Sequence, residues 1–115
     1  CILVFGATQG HDLSGIIAAL MELSPDEVIA TTSRHPRSVP MDRLMSEFQN
    51  VGFSALWGGE VRKGLQRAKQ LAEPSDLILV TGSLFTAVEV REEILGIPAE
   101  EYPELQNTGF LPKVR

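Results

Sequence analysis

The sequence of 115 residues predicts an α/β domain, in which a mostly parallel sheet is covered by helices on both faces. Short apolar runs without polar alternation, such as Ile2–Phe5 and Leu77–Val80, are typical of strands buried on both faces. Segments with apolar residues at helical spacing separate these runs. Because strands and helices alternate along the whole pattern, parallel strands joined by helical crossovers are the expected arrangement.

The first half of the chain contains two predicted strand–helix units. Ile2–Phe5 is the first strand, and a glycine-containing turn leads to Asp12, a suitable N-cap. The apolar face of the helix that follows comprises Leu13, Ile16, Ile17 and Leu20. Glu27–Thr32 is the second strand, and Pro40 suits the first turn of the second helix. That helix is expected to end at Asn50 to Gly52, with an inward face of Met41, Leu44, Met45 and Phe48.

The second half repeats the alternation. Phe53–Trp57 predicts a short third strand, and Gly58-Gly59 is expected to open the third helix. The inward face of that helix comprises Val61, Leu65, Ala68 and Ala72. Its charged residues are typical of a solvated face, namely Arg62, Lys63, Arg67 and Lys69. After the fourth strand, Leu77–Val80, a last helix ends at Gly96, with Ala87, Val90 and Ile94 expected inward.

The domain is therefore expected to cover residues 1–96. The remaining residues, Ile97–Arg115, contain three prolines and few periodic apolar residues, which predicts an irregular tail. Its expected contacts to the domain are Tyr102, Leu105 and Phe110.

Composition excludes several functional classes. The net charge of −5 and the isoelectric point near 4.9 disfavour nucleic acid or an anionic membrane surface as partner. A single cysteine, Cys1, allows neither a disulfide framework nor a cysteine metal site, so a reducing cytoplasm is expected. The apolar runs are too short to span a membrane.

Three loops are expected at one edge of the sheet, where the carboxyl ends of parallel strands meet and ligands bind in this fold class. They are Gly6–Asp12, Ser33–Val39 and Thr81–Leu84. In the last loop, Gly82 permits a positive φ and Ser83 can cap the following helix. Ser83 therefore has a structural interpretation as well as a functional one, because the same helix start can bind an anion.

Other chemistries have weaker support. Gly6 and Gly10 match only part of the dinucleotide-binding fingerprint, since its third glycine is absent, and in that interpretation Arg34 would hold a ribose 2′-phosphate. The histidines, His11 and His35, lack further ligands at metal-binding spacing, so no metal site is predicted. The sequence also lacks a phosphate-binding P-loop and a serine nucleophile elbow. Spacing alone thus predicts a ligand-binding domain without a complete catalytic apparatus.

Four stretches of the chain resemble, in order, the C-terminal domain of the folylpolyglutamate synthase/dihydrofolate synthase family, within the Mur ligase superfamily. They are ILVFGATQGHDLSGII, SRHPRSVPMDRL, ALWGGEVRKGLQRAKQLAEPSDLILVTGS and ILVTGSLFTAVEVREEIL. The resemblance covers nearly all of Ile2 to Leu95, and TGSLF is its most specific part. It implies a Rossmann-like sheet of the Mur ligase C-terminal type.

The resemblance also implies an activity, an ATP-dependent amide ligation in which a folate carboxylate is activated as an acyl phosphate and attacked by L-glutamate. ATP and Mg²⁺ would be bound mainly by a preceding central ATPase domain of the same chain, and no catalytic residue is expected in this part. Ser83 would bind the incoming glutamate, positioned by Thr81 and Gly82. The residues expected at the nucleotide or interdomain cleft are Gly6, His11, Asp12 and Arg37.

The chain departs from the family pattern in two places. His11 stands where family members usually carry a lysine. The aspartate-glycine-alanine-histidine-asparagine-proline segment that usually opens this domain would lie upstream of Cys1. We therefore expect a fragment that lacks its first strand and helix and is inactive alone. In the family a monomer in the cytoplasm is expected.

Three alternatives remain open on the residues. The first is an NADP-binding module of the short-chain dehydrogenase type, which would bind at Gly6–Gly10 and Arg34. The second is a regulatory or scaffolding α/β domain without enzymatic activity. The third is a peptidoglycan-precursor ligase of the same superfamily, because amino-acid specificity cannot be determined from these residues.

Overall fold

The computed structural model describes residues 1–96, in which four strands and four helices alternate. The strands are β1 (Ile2–Phe5), β2 (Glu27–Thr32), β3 (Leu56–Glu60) and β4 (Ile78–Thr81). The helices are α1 (Leu13–Met21), α2 (Met41–Asn50), α3 (Val61–Leu71) and α4 (Leu84–Leu95). The sheet has the order β3-β2-β1-β4, and all three pairings are parallel. The predicted α/β class and the order of its elements are confirmed.

Helices cover both faces of the sheet. Alternate residues of the central strands, such as Leu3 and Phe5, face α1 and α2, where the ring of Phe5 meets that of Phe48 edge-on with centroids 5.5 Å apart. The intervening residues, such as Val4 and Ile29, face α3. Val90 of α4 packs with residues of α3 on that same side. The larger side chains therefore lie on the α1/α2 face.

The α3/α4 face is built on close backbone approach. A Cβ atom added to Gly64 of α3 would lie 2.2 Å from Cγ2 of Thr31, and one added to Gly58 of β3 would lie 2.8 Å from Cα of Gly64. Distances below 3 Å are not tolerated between such atoms. Glycine at both positions therefore allows α3 to lie directly on strands β2 and β3.

The third strand lies further along the chain than predicted. The prediction of Phe53–Trp57 with a helix opened by Gly58-Gly59 is wrong, because both glycines belong to β3 and α3 begins only at Val61. The β2–β3 pairing has an irregularity between Ala30 and Thr31, and Gly59 has a φ of +78°. A positive φ within an irregular strand favours glycine, so this pair marks a distorted strand here.

Several predicted inward residues are exposed. Leu77 precedes β4 and is 63% exposed, and β4 itself is only partly buried because within the described residues it pairs on one side, with β1. Met41, at the first position of α2, is also exposed. On α4, Val90 is buried as predicted, but Ala87 and Ile94 face solvent. Their places on the buried face are taken by Thr86, Glu89 and Glu92.

The predicted tail, Ile97–Arg115 with Tyr102, Leu105 and Phe110, lies outside the described residues. Within residues 1–96, no helix is both long and apolar enough to cross a membrane.

Candidate functional site

The loops after β1 and β2 lie side by side at the carboxyl edge of the sheet. The backbone N–H of Gln9 donates to the carbonyl of Arg37 at 2.8 Å, and that of Val39 donates to the carbonyl of Ala7 at 2.8 Å. Between these bonds, Thr8 and Ser38 form an antiparallel bridge. Two of the three loops predicted to gather at this edge are therefore joined backbone to backbone.

These two loops enclose a recess of about 350 Å³, which we call the basic recess. Its lining comprises Thr8, Gln9, Gly10, His11, His35 and Arg37. Gly10 has a φ of +98°, and a Cβ atom placed on it would lie 3.5 Å from Nη2 of Arg37. An arginine and two imidazoles beside a glycine backbone form a surface suited to an anion such as phosphate.

Arg37 is held in place by its own loop. Its backbone N–H donates to Nδ1 of His35 at 3.0 Å, and the N–H of His35 donates to Oγ of Ser33 at 3.3 Å. The hydroxyls of Ser33 and Ser38 are 2.7 Å apart, which closes the loop between its two ends. The loop is thus braced along its length and presents the guanidinium of Arg37 at the recess.

The structure brings His11 and Arg37 together in the basic recess, whereas Asp12 caps a helix and Gly6 allows close packing. Oδ1 of Asp12 accepts hydrogen bonds from the N–H of Gly15 at 3.1 Å and from the hydroxyl of Ser14 at 3.3 Å. It therefore caps α1 as predicted. Gly6 is buried below, where an added Cβ atom would lie 2.5 Å from Oγ1 of Thr86.

The turn after β4 forms the second half of the site. The N–H of Gly6 donates to the carbonyl of Thr81 at 3.3 Å, so this turn adjoins the loop after β1. Gly82 has a φ of +109°, and a Cβ atom there would lie 2.2 Å from the carbonyl oxygen of Gly6. Both the conformation and the close approach require glycine. The predicted turn conformation at Gly82 is confirmed.

Ser83 directly precedes α4, a helix of 12 residues, and its carbonyl accepts the N–H of Ala87 at 3.1 Å. It is partly buried and is not among the residues that line the basic recess. The carboxyl edge therefore carries two adjacent features, the basic recess and a helix start with a serine. Unsatisfied N–H groups and the helix dipole make such a start suitable for a carboxylate.

Sequence reasoning did not single out Thr8, Gln9 and His35 as lining residues of the recess. The signal available for His35 was its position in the loop after β2, beside the loop that carries the other histidine of the chain. It also missed a second, charged cleft of about 300 Å³ between α3, α4 and the end of β2. Its lining comprises Arg34, Glu60, Arg62, Lys63, Glu89, Glu92 and Glu93.

Arg34 belongs to this charged cleft and not to the glycine turn. Its Nη2 lies 3.0 Å from Oε1 of Glu92, and its Nη1 lies 3.6 Å from Oε1 of Glu89. A guanidinium that faces two carboxylates gives no support to the predicted contact with a ribose 2′-phosphate. Within residues 1–96, no group of three or more His, Cys, Asp or Glu side chains has the arrangement of a metal site.

Comparisons with known proteins agree on one family. The family model for the Mur ligase, glutamate ligase domain matches residues 1–84. A probable bifunctional folylpolyglutamate synthase/dihydropteroate synthase of Haloferax volcanii is 33% identical over 90 residues, which are 77% of this chain and 10% of that protein.

Two solved structures have the same fold. The folylpolyglutamate synthase of Mycobacterium tuberculosis complexed with ADP and AMPPCP superposes with a TM-score of 0.71 at 24% identity, over 86% of this chain and 24% of that one. The bifunctional folylpolyglutamate synthase/dihydrofolate synthase of Yersinia pestis, complexed with AMPPNP and a Mn ion, gives 0.71 at 25% identity, over 84% and 22%. The chain thus spans a tenth to a quarter of the length of these relatives.

Proposed function

The chain belongs to the family of the Mur ligase, glutamate ligase domain, and from this membership we propose that it is part of an ATP-dependent ligase that joins L-glutamate to a folate. One observation carries the proposal: the family match spans residues 1–84 and so includes both loops of the basic recess and the turn that ends in Ser83. The names of the relatives support a folate, or its dihydropteroate precursor, as the acceptor.

The proposed reaction transfers the terminal phosphoryl group of ATP to the acceptor carboxylate, and the amine of glutamate then displaces phosphate. This part of the protein binds and orients the reactants. The hydroxyl of Ser83 donates to a glutamate carboxylate next to the start of α4, and Thr81 and Gly82 fix its position. His11 and Arg37 bind nucleotide phosphate in the basic recess, while Asp12 caps α1 after the loop that carries His11 and Gly6 lies before that loop.

The proposal assigns the remaining chemistry to a preceding ATPase domain of the same chain. That domain would hold the phosphate-binding loop and the Mg²⁺ ligands, as the resemblance to the folate ligase family implies. Residues 1–96 would close over it, which excludes water from the acyl phosphate. We further propose that the whole enzyme is a monomer in the cytoplasm and that this part alone does not turn over.

Replacement of Ser83 by alanine in the full-length protein tests the glutamate assignment. Loss of one hydrogen bond to a charged ligand is worth roughly 1.5–3 kcal/mol, which raises the KM for glutamate about 10- to 150-fold. Steady-state kinetics with both substrates varied should show little change in the KM for ATP. A KM for glutamate equal to that of the wild type would refute the role of Ser83.

Arg37→Ala is the complementary variant. Because Arg37 lines the basic recess and not the turn before α4, the KM for ATP should rise while the KM for glutamate stays near the wild-type value. Arg67→Ala, an exposed position on α3, is the neutral control for the loss of a positive charge. If all three variants behave alike, the division into two subsites is wrong.

A further inference from the structure

Arg34 connects the loop after β2 to helix α4, which follows the turn after β4. Its guanidinium contacts Glu92 at 3.0 Å and Glu89 at 3.6 Å, and its backbone N–H donates to Oε2 of Glu89 at 2.7 Å. Both carboxylates lie on α4, three residues apart and therefore on one helical face. Glu89 is 6% exposed and Glu92 is 5% exposed, so their contacts with Arg34 are largely shielded from solvent.

The contacts of Arg34 join the two elements that carry the proposed subsites, the loop with Arg37 and the helix that follows Ser83. On the loop side, Arg34 lies next to Ser33 and His35, the residues whose hydrogen bonds brace the backbone of Arg37. On the helix side, Glu89 follows Ser83 by six residues, about 9 Å along the axis of α4. A shift of α4 relative to the loop would therefore break contacts to two buried carboxylates.

We propose that Arg34 is a positioning residue that couples the nucleotide subsite at Arg37 to the glutamate subsite at Ser83, through Glu89 and Glu92 on α4. This inference rests on the proposed function for the identity of the two ligands. Arg34 contacts neither ligand in this arrangement and acts through the elements that carry the two subsites. Lysine would not replace it fully, because a single ammonium cannot reproduce the planar fork that faces two carboxylates.

The first test is kinetic and uses the full-length protein with Arg34→Met. Coupling predicts that the KM values for ATP and glutamate both rise, each by about fivefold or more, with kcat largely retained. A purely structural role would instead lower the amount of active enzyme and leave both KM values unchanged. That result, or a rise in one KM alone, would overturn the proposal.

Arg62→Met is the matched control. It removes the same group from a residue that also faces α4, but Nε of Arg62 lies 4.0 Å from Oε1 of Glu93 and its side chain is 69% exposed. Both KM values should remain at the wild-type level. If Arg34→Met does not fold, Glu92→Gln keeps the shape of the side chain and weakens the same contact, and it should raise both KM values to a smaller extent.

Amide hydrogen exchange tests the coupling without any substrate. In Arg34→Met, the amides of Arg37 and Ser38 and that of Ala87 should exchange at least about fivefold faster than in the wild type, while amides of β1 and β2 stay protected. If the enzyme does not ligate glutamate but these exchange rates change together, the proposed function fails and the coupling stands. Unchanged exchange at either segment in an active enzyme would refute the coupling alone.

Discussion

Thr86 combines full burial with an unsatisfied hydroxyl, a combination that within the described residues occurs at no other side chain. Its Oγ1 faces Gly6, at whose position a Cβ atom would lie 2.5 Å away. A neighbouring threonine, Thr31, is equally buried but donates to the carbonyl of Phe5 at 3.2 Å. Substitution of each threonine therefore measures a different contribution to the free energy of unfolding: the cost of an unpaired buried hydroxyl at Thr86, and the stabilisation by a hydrogen-bonded one at Thr31.

Thr86→Val should raise the free energy of unfolding by about 1 kcal/mol, because it replaces an unpaired buried hydroxyl by a methyl group of similar size. Thr31→Val should lower it by a similar amount, since it removes a bonded hydroxyl. Urea unfolding of both variants measures the difference. A loss of stability in Thr86→Val would contradict the absence of a hydrogen-bond partner.

Features of single residues that depend on their chain neighbours were predictable from the sequence, whereas features that depend on residues distant in the chain were not. The cap at Asp12 and the turn at Gly82 follow from rules that involve neighbouring residues only, and the structure has both. Glu89 and Glu92 are buried in contact with Arg34, which precedes Glu89 by 55 positions. The pattern of α4 alone therefore favoured Ala87 and Ile94 as inward residues, and both are exposed.

The position of helix α3 depends on two glycines, Gly58 and Gly64, at which a Cβ atom would clash. Gly64 faces Thr31, and its Cα lies 2.8 Å from where a Cβ of Gly58 would be. Gly64→Ala should gain up to about 1 kcal/mol of helix propensity. The overlap with Cγ2 of Thr31 costs about 1–3 kcal/mol, so a net loss of stability is expected.

A double-mutant cycle identifies the atom responsible. Thr31→Ser removes Cγ2 but keeps the hydroxyl that donates to Phe5, and in this background Gly64→Ala should be less destabilising by at least about 0.5 kcal/mol. Urea unfolding of the four proteins gives the interaction energy. Additive effects would show that the contact between Gly64 and Thr31 does not limit the approach of α3.

The same glycines explain why the boundaries of β3 were mispredicted, whereas β1 and β2 begin and end at the predicted residues. Central strands bury both faces, so their apolar composition identifies them directly. In β3, Gly58 is required by the approach of α3, which is a tertiary contact. In the sequence this requirement is indistinguishable from a turn that opens a helix.

The two faces of the sheet are covered by different kinds of side chain. Large apolar side chains fill the α1/α2 face, as at Ile17 and Phe48, which are fully buried. The α3/α4 face combines small residues with the charged cleft. The ligand edge was predictable because it follows from the order of strands and helices. The difference between the two faces was not, because it depends on which side chains are buried when the helices pack on the sheet.

Ile17→Val should therefore reduce stability without changing binding. Loss of one buried methylene costs about 0.5–1.5 kcal/mol, which lowers the urea midpoint while the slope of the transition stays the same. Ile16→Val, on the same helix but only partly buried, should cost less. Both variants should keep the wild-type KM values for ATP and glutamate, because neither Ile16 nor Ile17 lines the basic recess, whose lining residue nearest to α1 in the chain is His11. A change in either KM in Ile17→Val would mean that packing on the α1/α2 face sets the geometry of the ligand edge.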